Sequence, residues 1–271
     1  MANRALLENF FAFRCVALIG SGRRQRNQAQ HQQRCGTKSN ESVLLHTIRF
    51  YNGHMFPVIM LFAEAPVPGN VKTGLQPVLS PTESAELHLS FVGDVLEWLD
   101  GFKTLADIEL HTDVVTDAWR DFPYRRVLLA HGDLGYRMLC AAEAAFAQGR
   151  QQVLILGSGT PNLPLGHLQE LLQSTADVAL GPTDDGGYYA ISLRKIHPAL
   201  FAGVEWSTAH SLRQTIGSAE YLGLSVEVGK EWFDVDSPAD LVRLITHPTP
   251  PRTTDWLKRH RFLVESNKGR I

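Results

Sequence analysis

From Met55 onward, apolar runs of strand length alternate with longer stretches whose apolar positions recur at helical spacing. That alternation predicts an α/β fold with helices covering a mostly parallel sheet. Strands are expected at 58–63, 108–115, 126–130, 153–156, 178–181, 188–193 and 224–228. The first helix has a sharp start: Ser80-Pro81-Thr82-Glu83 supplies an N-cap, a proline at the first helical position and a capping-box glutamate. Apolar residues then continue to Leu99. A second helix follows Gly132-Asp133 and stops at Gly149, a third covers 165–173, and a fourth spans 208–221 before Gly223. Ser237-Pro238-Ala239-Asp240 repeats the cap-plus-proline start for a fifth. The proline-rich stretch 247–254 is read as a break, leaving a tail (247–271) with a short helix near 256–264.

The first 54 residues follow neither period. Residues 5–20 are apolar but carry Glu8 and Arg14, too short and too charged to span a bilayer. Residues 21–40 are Gln, Arg, Ser and Gly with almost nothing to bury. This segment is a basic organellar leader or an upstream extension before a start at Met55; the second is favoured, and the segment is set apart from the domain at 55–246.

Charge sharpens the division. Residues 1–54 hold eight Lys or Arg against Glu8 and Glu41, leaving 18 basic and 26 acidic residues, a net of −8, for the rest of a chain whose total is −2. An acidic body argues against a nucleic-acid partner. Cys15, Cys35 and Cys140 are odd in number and widely spaced, suggesting neither a disulfide framework nor a zinc site and fitting a reducing, cytoplasmic location.

Four strand-to-loop transitions carry candidate chemistry, the place where open α/β sheets hold ligands. After the first strand, Pro66-Val67-Pro68-Gly69-Asn70-Val71-Lys72-Thr73-Gly74 is a stiffened loop able to offer backbone N–H groups and an ammonium to phosphate, or a plain surface loop. After the fourth, Gly157-Ser158-Gly159-Thr160-Pro161 opens a buried strand into small residues. Between the fifth and sixth, Asp184-Asp185-Gly186-Gly187 either holds a cation or a hydroxyl, or is simply a hairpin turn. Finally, Asp234-Val235-Asp236-Ser237 puts two carboxylates before a helix, where capping by Ser237 explains the serine but not both aspartates.

The order of these segments, with Gly132-Asp133-Leu134-Gly135-Tyr136-Arg137-Met138 and Glu205-Trp206-Ser207-Thr208 between them, resembles a domain-of-unknown-function family of glycosyltransferase A-type (GT-A) proteins, similar to molybdenum-cofactor and 2-phospholactate nucleotidyltransferases. The match covers about residues 56–245. The resemblance implies a three-layer α/β/α sandwich with a mostly parallel mixed sheet of the nucleotide-diphospho-sugar transferase type. It further implies nucleotidyl or glycosyl transfer between a nucleotide or nucleotide sugar and a small-molecule acceptor, with Mg²⁺ or Mn²⁺ and without a membrane. On this reading Asp184 and Asp185 act catalytically, and Asp234 and Asp236 hold the metal. Pro68, Gly69, Lys72, Ser158, Thr160, Gly186, Gly187 and Trp206 line the nucleotide and acceptor, Trp206 alternatively packing while Ser207 caps the next helix. Arg137 is expected to pair with Asp133 one turn away.

The chain departs from the family pattern at charged positions. Asn70 and Gly74 stand where arginines are usual, Glu64 where a lysine is common, and Gly159 where the family has the aspartate expected to bind metal or nucleotide. Backbone-shaping residues are kept while phosphate-gripping charges are missing, so the site is expected to be partly degenerate. A catalytically inactive relative, serving as a nucleotide-, sugar- or protein-binding module, is the alternative.

Overall fold

A computed structural model describes residues 56–260 of the chain. The 1–54 extension and the end of the 247–271 tail lie outside the described residues. Seven strands form one sheet: β1 (Val58–Phe62), β2 (Asp107–Thr112), β3 (Arg125–Leu128), β4 (Val153–Gly157), β5 (Val178–Pro182), β6 (Tyr188–Leu193) and β7 (Val226–Val228). Their spatial order is β3-β2-β1-β4-β6-β5-β7, with β6 alone antiparallel to its neighbours. Among the described residues, six α-helices accompany them: α1 (Pro81–Leu99), α2 (Leu134–Ala147), α3 (Leu165–Gln173), α4 (Ser211–Tyr221), α5 (Pro238–Ile245) and α6 (Pro251–Arg259).

Period-two alternation assigns the strand side chains to two layers. Ile59, Leu61, Leu154 and Leu156 face one side with Val92, Val95 and Leu96 of α1 and Leu168 and Leu171 of α3. Val58, Met60, Val153 and Ile155 face the other with Met138 and Ala142 of α2 and Ala219 of α4. This is the expected three-layer mixed sheet. Among the described residues, no helix is long and apolar enough to cross a membrane.

A third cluster lies beyond the sheet edge and builds the platform of the site. Leu75, Leu87, Phe91, Phe233, Val235, Leu241 and Trp256 join the loop after β1, α1, the segment before α5, and α6. The caps foreseen at Ser80, Asp133 and Ser237 are present: Ser80 and Ser237 form full capping boxes, and Asp133 accepts the Tyr136 N–H at 2.8 Å.

Several boundaries move. β2 ends at Thr112, and Val114 and Val115 are exposed. α4 begins at Ser211, not 208, because Ser207 sits at φ 58° and the Thr208 and Ser211 hydroxyls both donate to the Glu205 carbonyl at 2.8 Å; Ser207 is therefore no cap. The last helix begins at Pro251, within the supposed break, since proline at the first helical position needs no N–H partner. α6 packs on α1 and buries Trp256 completely.

Candidate functional site

The carboxyl edge of the sheet gathers three of the four candidate loops. After Trp232, the chain alternates: Phe233 and Val235 turn into the third cluster, fully buried, so Asp234 and Asp236 turn the other way. The Val235 N–H donates to the Gly159 carbonyl at 3.1 Å, tying this segment to the loop after β4. Lys72 reaches in from the loop after β1 and its Nζ donates to Asp236 Oδ1 at 2.7 Å. A Cβ added at Gly159 would lie 3.1 Å from both Lys72 Nζ and Asp234 Oδ1. Lys72, Gly159, Asp234 and Asp236 therefore share one hollow.

Beside them is a cavity of about 330 Å³, lined among others by Glu64, Lys72, His88, Arg137, Ser158 and Asp236. Leu129, Leu134 and Phe62 make its apolar wall. Arg137 is the cation that the sequence reading misplaced. Its Nε donates to the Gly132 carbonyl at 3.0 Å, rather than its guanidinium pairing with Asp133, and it borders the cavity from α2. Its place six residues after His131, at the start of a helix, was the only available signal.

The electrostatics follow from burial among like charges. Burial pushes the Asp234 carboxyl up to about 7; Lys72 opposes this, while Asp236, Asp185 and Asp240 add to it. The Lys72 ammonium holds Asp236 below the usual carboxylate range. Burial and Asp113 raise Glu64, with Arg137 and Lys72 countering. Burial drives His88, whose Nε2 meets the Glu64 carbonyl at 2.9 Å, down to about 4.

The Asp-Asp-Gly-Gly segment divides its roles. Asp185 is close enough to act on Asp234, while its Oδ1 accepts the Thr183 hydroxyl at 2.5 Å and the Gly187 N–H at 3.0 Å. Asp184 is turned away and pairs with Arg243 of α5, whose guanidinium lies 4.1 Å from the Phe233 ring centroid. Gly186 and Gly187 serve the turn. Gly186 has φ 90° and a Cβ there would come within 2.4 Å of the Ala209 carbonyl oxygen. The turn requires glycine at 186, while Gly187 donates its N–H to Asp185 within it.

The remaining candidate residues have packing surroundings of their own. Pro68 and Gly69 lie exposed in the turn before Val71, with Gly69 required by its φ of 89°. Thr160 is wholly buried and its Oγ1 has no hydrogen-bond partner. Trp206 packs edge-on against Tyr188 and Phe201, at ring-centroid distances of 6.3 and 6.0 Å, and against the Cα of Gly135, which makes it a wedge holding α2. Gly74 is a point of close approach between loops. A Cβ there would meet the backbone carbonyl oxygen of Asp236 at 2.2 Å, so the glycine lets the two loops touch.

A hard divalent cation of the Mg²⁺ type is held by one or two carboxylates, with waters and substrate phosphates completing its oxygen shell. The hollow offers Asp234 and Asp236, the latter bonded to an ammonium, with Asp185 near enough to act on Asp234, and Gly159 contributes no side-chain oxygen. Among the described residues, no group of three or more His, Cys, Asp and Glu is placed to hold a metal ion. In this arrangement the Lys72 ammonium already meets the Asp236 carboxylate that a cation would use.

Residues 106–208 match a family described as an uncharacterized protein conserved in bacteria (DUF2064). The chain is 31% identical over 207 residues to the 2-phospho-L-lactate guanylyltransferase of Methanocorpusculum labreanum, covering 75% of this chain and 91% of that protein. The enzyme of the same name from Methanosarcina acetivorans is 27% identical over 205 residues, covering 74% and 92%. A Desulfovibrio desulfuricans G20 crystal structure, classed provisionally as a nucleotide-diphospho-sugar transferase, superposes with a TM-score of 0.70 at 30% identity, covering 78% of this chain and 97% of that one.

Proposed function

The chain belongs to the family that contains the 2-phospho-L-lactate guanylyltransferases, and on that premise we propose that it handles a nucleoside triphosphate and a phosphorylated small-molecule acceptor, transferring the nucleotidyl group between them. The acceptor oxygen would attack the α-phosphorus as the bond to the leaving pyrophosphate breaks. One observation supports this most: Lys72 and Arg137, cations from opposite sides, border a single cavity at the carboxyl edge of the sheet. Its apolar wall suits a base or sugar face, and the two cations suit phosphate oxygens on which charge develops. On this reading the Ser158 hydroxyl, which borders the cavity, would orient the acceptor.

A second reading is favoured by the pairing of Lys72 with Asp236 and by Gly159. A lysine already neutralised by a carboxylate grips phosphate less than a free one. The chain would then bind nucleotide without turning it over.

Incubating the full chain with GTP and 2-phospho-L-lactate, with CTP, UTP and ATP as controls, and following pyrophosphate release separates the readings. Pyrophosphate with a mass-detected nucleotidyl adduct supports transfer. Nucleotide bound without pyrophosphate supports the binding module. No affinity for any nucleotide refutes both.

A further inference from the structure

We infer that the Lys72 ammonium takes the place of a divalent cation between the Asp234–Asp236 pair and a ligand phosphate, so that this site holds nucleotide phosphate without a metal. The inference rests on the proposed function in taking the ligand to be a nucleotide.

The position of Lys72 is built rather than incidental. Its side chain is only 10% exposed, its Nζ bonds Asp236 at 2.7 Å, and Nζ lies 5.8 Å from the Phe91 ring centroid. Its backbone is in the left-handed region, φ 47° and ψ 42°, which a lysine seldom adopts. Neighbours enforce that conformation. The turn Thr73–Leu75 follows at once and Leu75 is fully buried in the third cluster. Gly74 meanwhile lets the backbone touch Asp236.

Gly159 completes the arrangement. The family resemblance puts a carboxylate at this position; here the missing Cβ leaves room 3.1 Å from both Nζ and Asp234 Oδ1. Fewer carboxylates need less countercharge, and one ammonium supplies it. An ammonium has three donors and no acceptor, so one proton on Asp236 leaves others for Asp234 and a phosphate oxygen. A metal bridging carboxylate and phosphate does the same task with oxygen ligands.

The test uses the full chain, Mn²⁺ alone read by electron paramagnetic resonance, and GTP binding by calorimetry in EDTA or Mg²⁺. Wild type should leave the free-Mn²⁺ signal unchanged. Its GTP affinity should differ between EDTA and Mg²⁺ by less than the roughly 10-fold that a disturbed metal site costs. Lys72→Met, which frees the aspartate pair, should lose at least about 10-fold in GTP affinity in EDTA, take up Mn²⁺ and regain affinity with it. Gly159→Asp, independent of any folding defect at position 72, should also take up Mn²⁺.

Uptake of Mn²⁺ by wild type, or failure of both variants to take it up, overturns the inference. If wild type binds no GTP under either condition, the proposed function falls, while the Mn²⁺ comparison still decides the role of the ammonium.

Discussion

The Asp94 carboxylate accepts both the backbone N–H of Thr253, at 2.7 Å, and its hydroxyl, at 2.6 Å, across 159 residues of sequence. It also accepts the Arg252 N–H at 3.0 Å. Pro250 precedes α6 and has no side-chain oxygen to cap it, so α1 supplies the cap from another part of the chain. Asp94→Ala should leave these buried donors unpartnered and destabilise the fold by about 2 kcal/mol. Urea unfolding of wild type and variant checks the magnitude, and amide exchange should show the loss first in α6.

The two glycines read as lesions should behave differently. Gly159→Asp meets only side-chain ends at 3.1 Å and should fold normally. Gly74→Arg drives a Cβ to within 2.2 Å of the Asp236 carbonyl oxygen, forcing the loops apart at a cost of about 1–3 kcal/mol. The thermal midpoints of the two variants provide the comparison; equal midpoints would mean that the contact at Gly74 is misassigned.

Asp184 and Asp185 are adjacent but act on different surroundings. Asp184→Asn breaks a partly exposed pair with Arg243, worth about 0–1 kcal/mol, and should leave nucleotide affinity within about twofold. Asp185→Asn alters the field at Asp234 and should shift the pH at which GTP binding changes. Binding isotherms across neutral pH for both variants test this asymmetry.

His88 links pH to stability. Its pKa is about 4 in the fold against 6.5 unfolded, chiefly through burial. Between those values the unfolded chain binds the extra proton, so stability rises with pH. The contribution is complete above 6.5 and is lost as pH falls toward 4, amounting to about 3 kcal/mol at most. NMR titration should find the ring neutral at pH values where exposed histidines are charged. A His88→Gln variant should show a shallower decline in unfolding free energy over that window.

All seven strands and the starts of α1, α2 and α5 were legible because period and capping are local signals. The Asp234-Val235-Asp236 pattern was legible for the same reason, its alternation being written in adjacent residues. The packing of Trp206, the burial of Thr160 and the Arg243 partner of Asp184 were not legible, being set by distant parts of the chain. Arg137 was assigned to a helical neighbour, yet it borders the cavity.

The chain alone determined the layer order, the caps and which loops emerge at the carboxyl edge, since these depend on spacing within a few residues. Only the folded arrangement decided that Lys72 bonds Asp236, 164 positions away, and that Gly74 and Gly159 are contact points between loops. Side-chain partners brought together by burial of the third cluster leave no mark on local sequence, because the apolar residues that drive that burial are separate from the charged ones it positions.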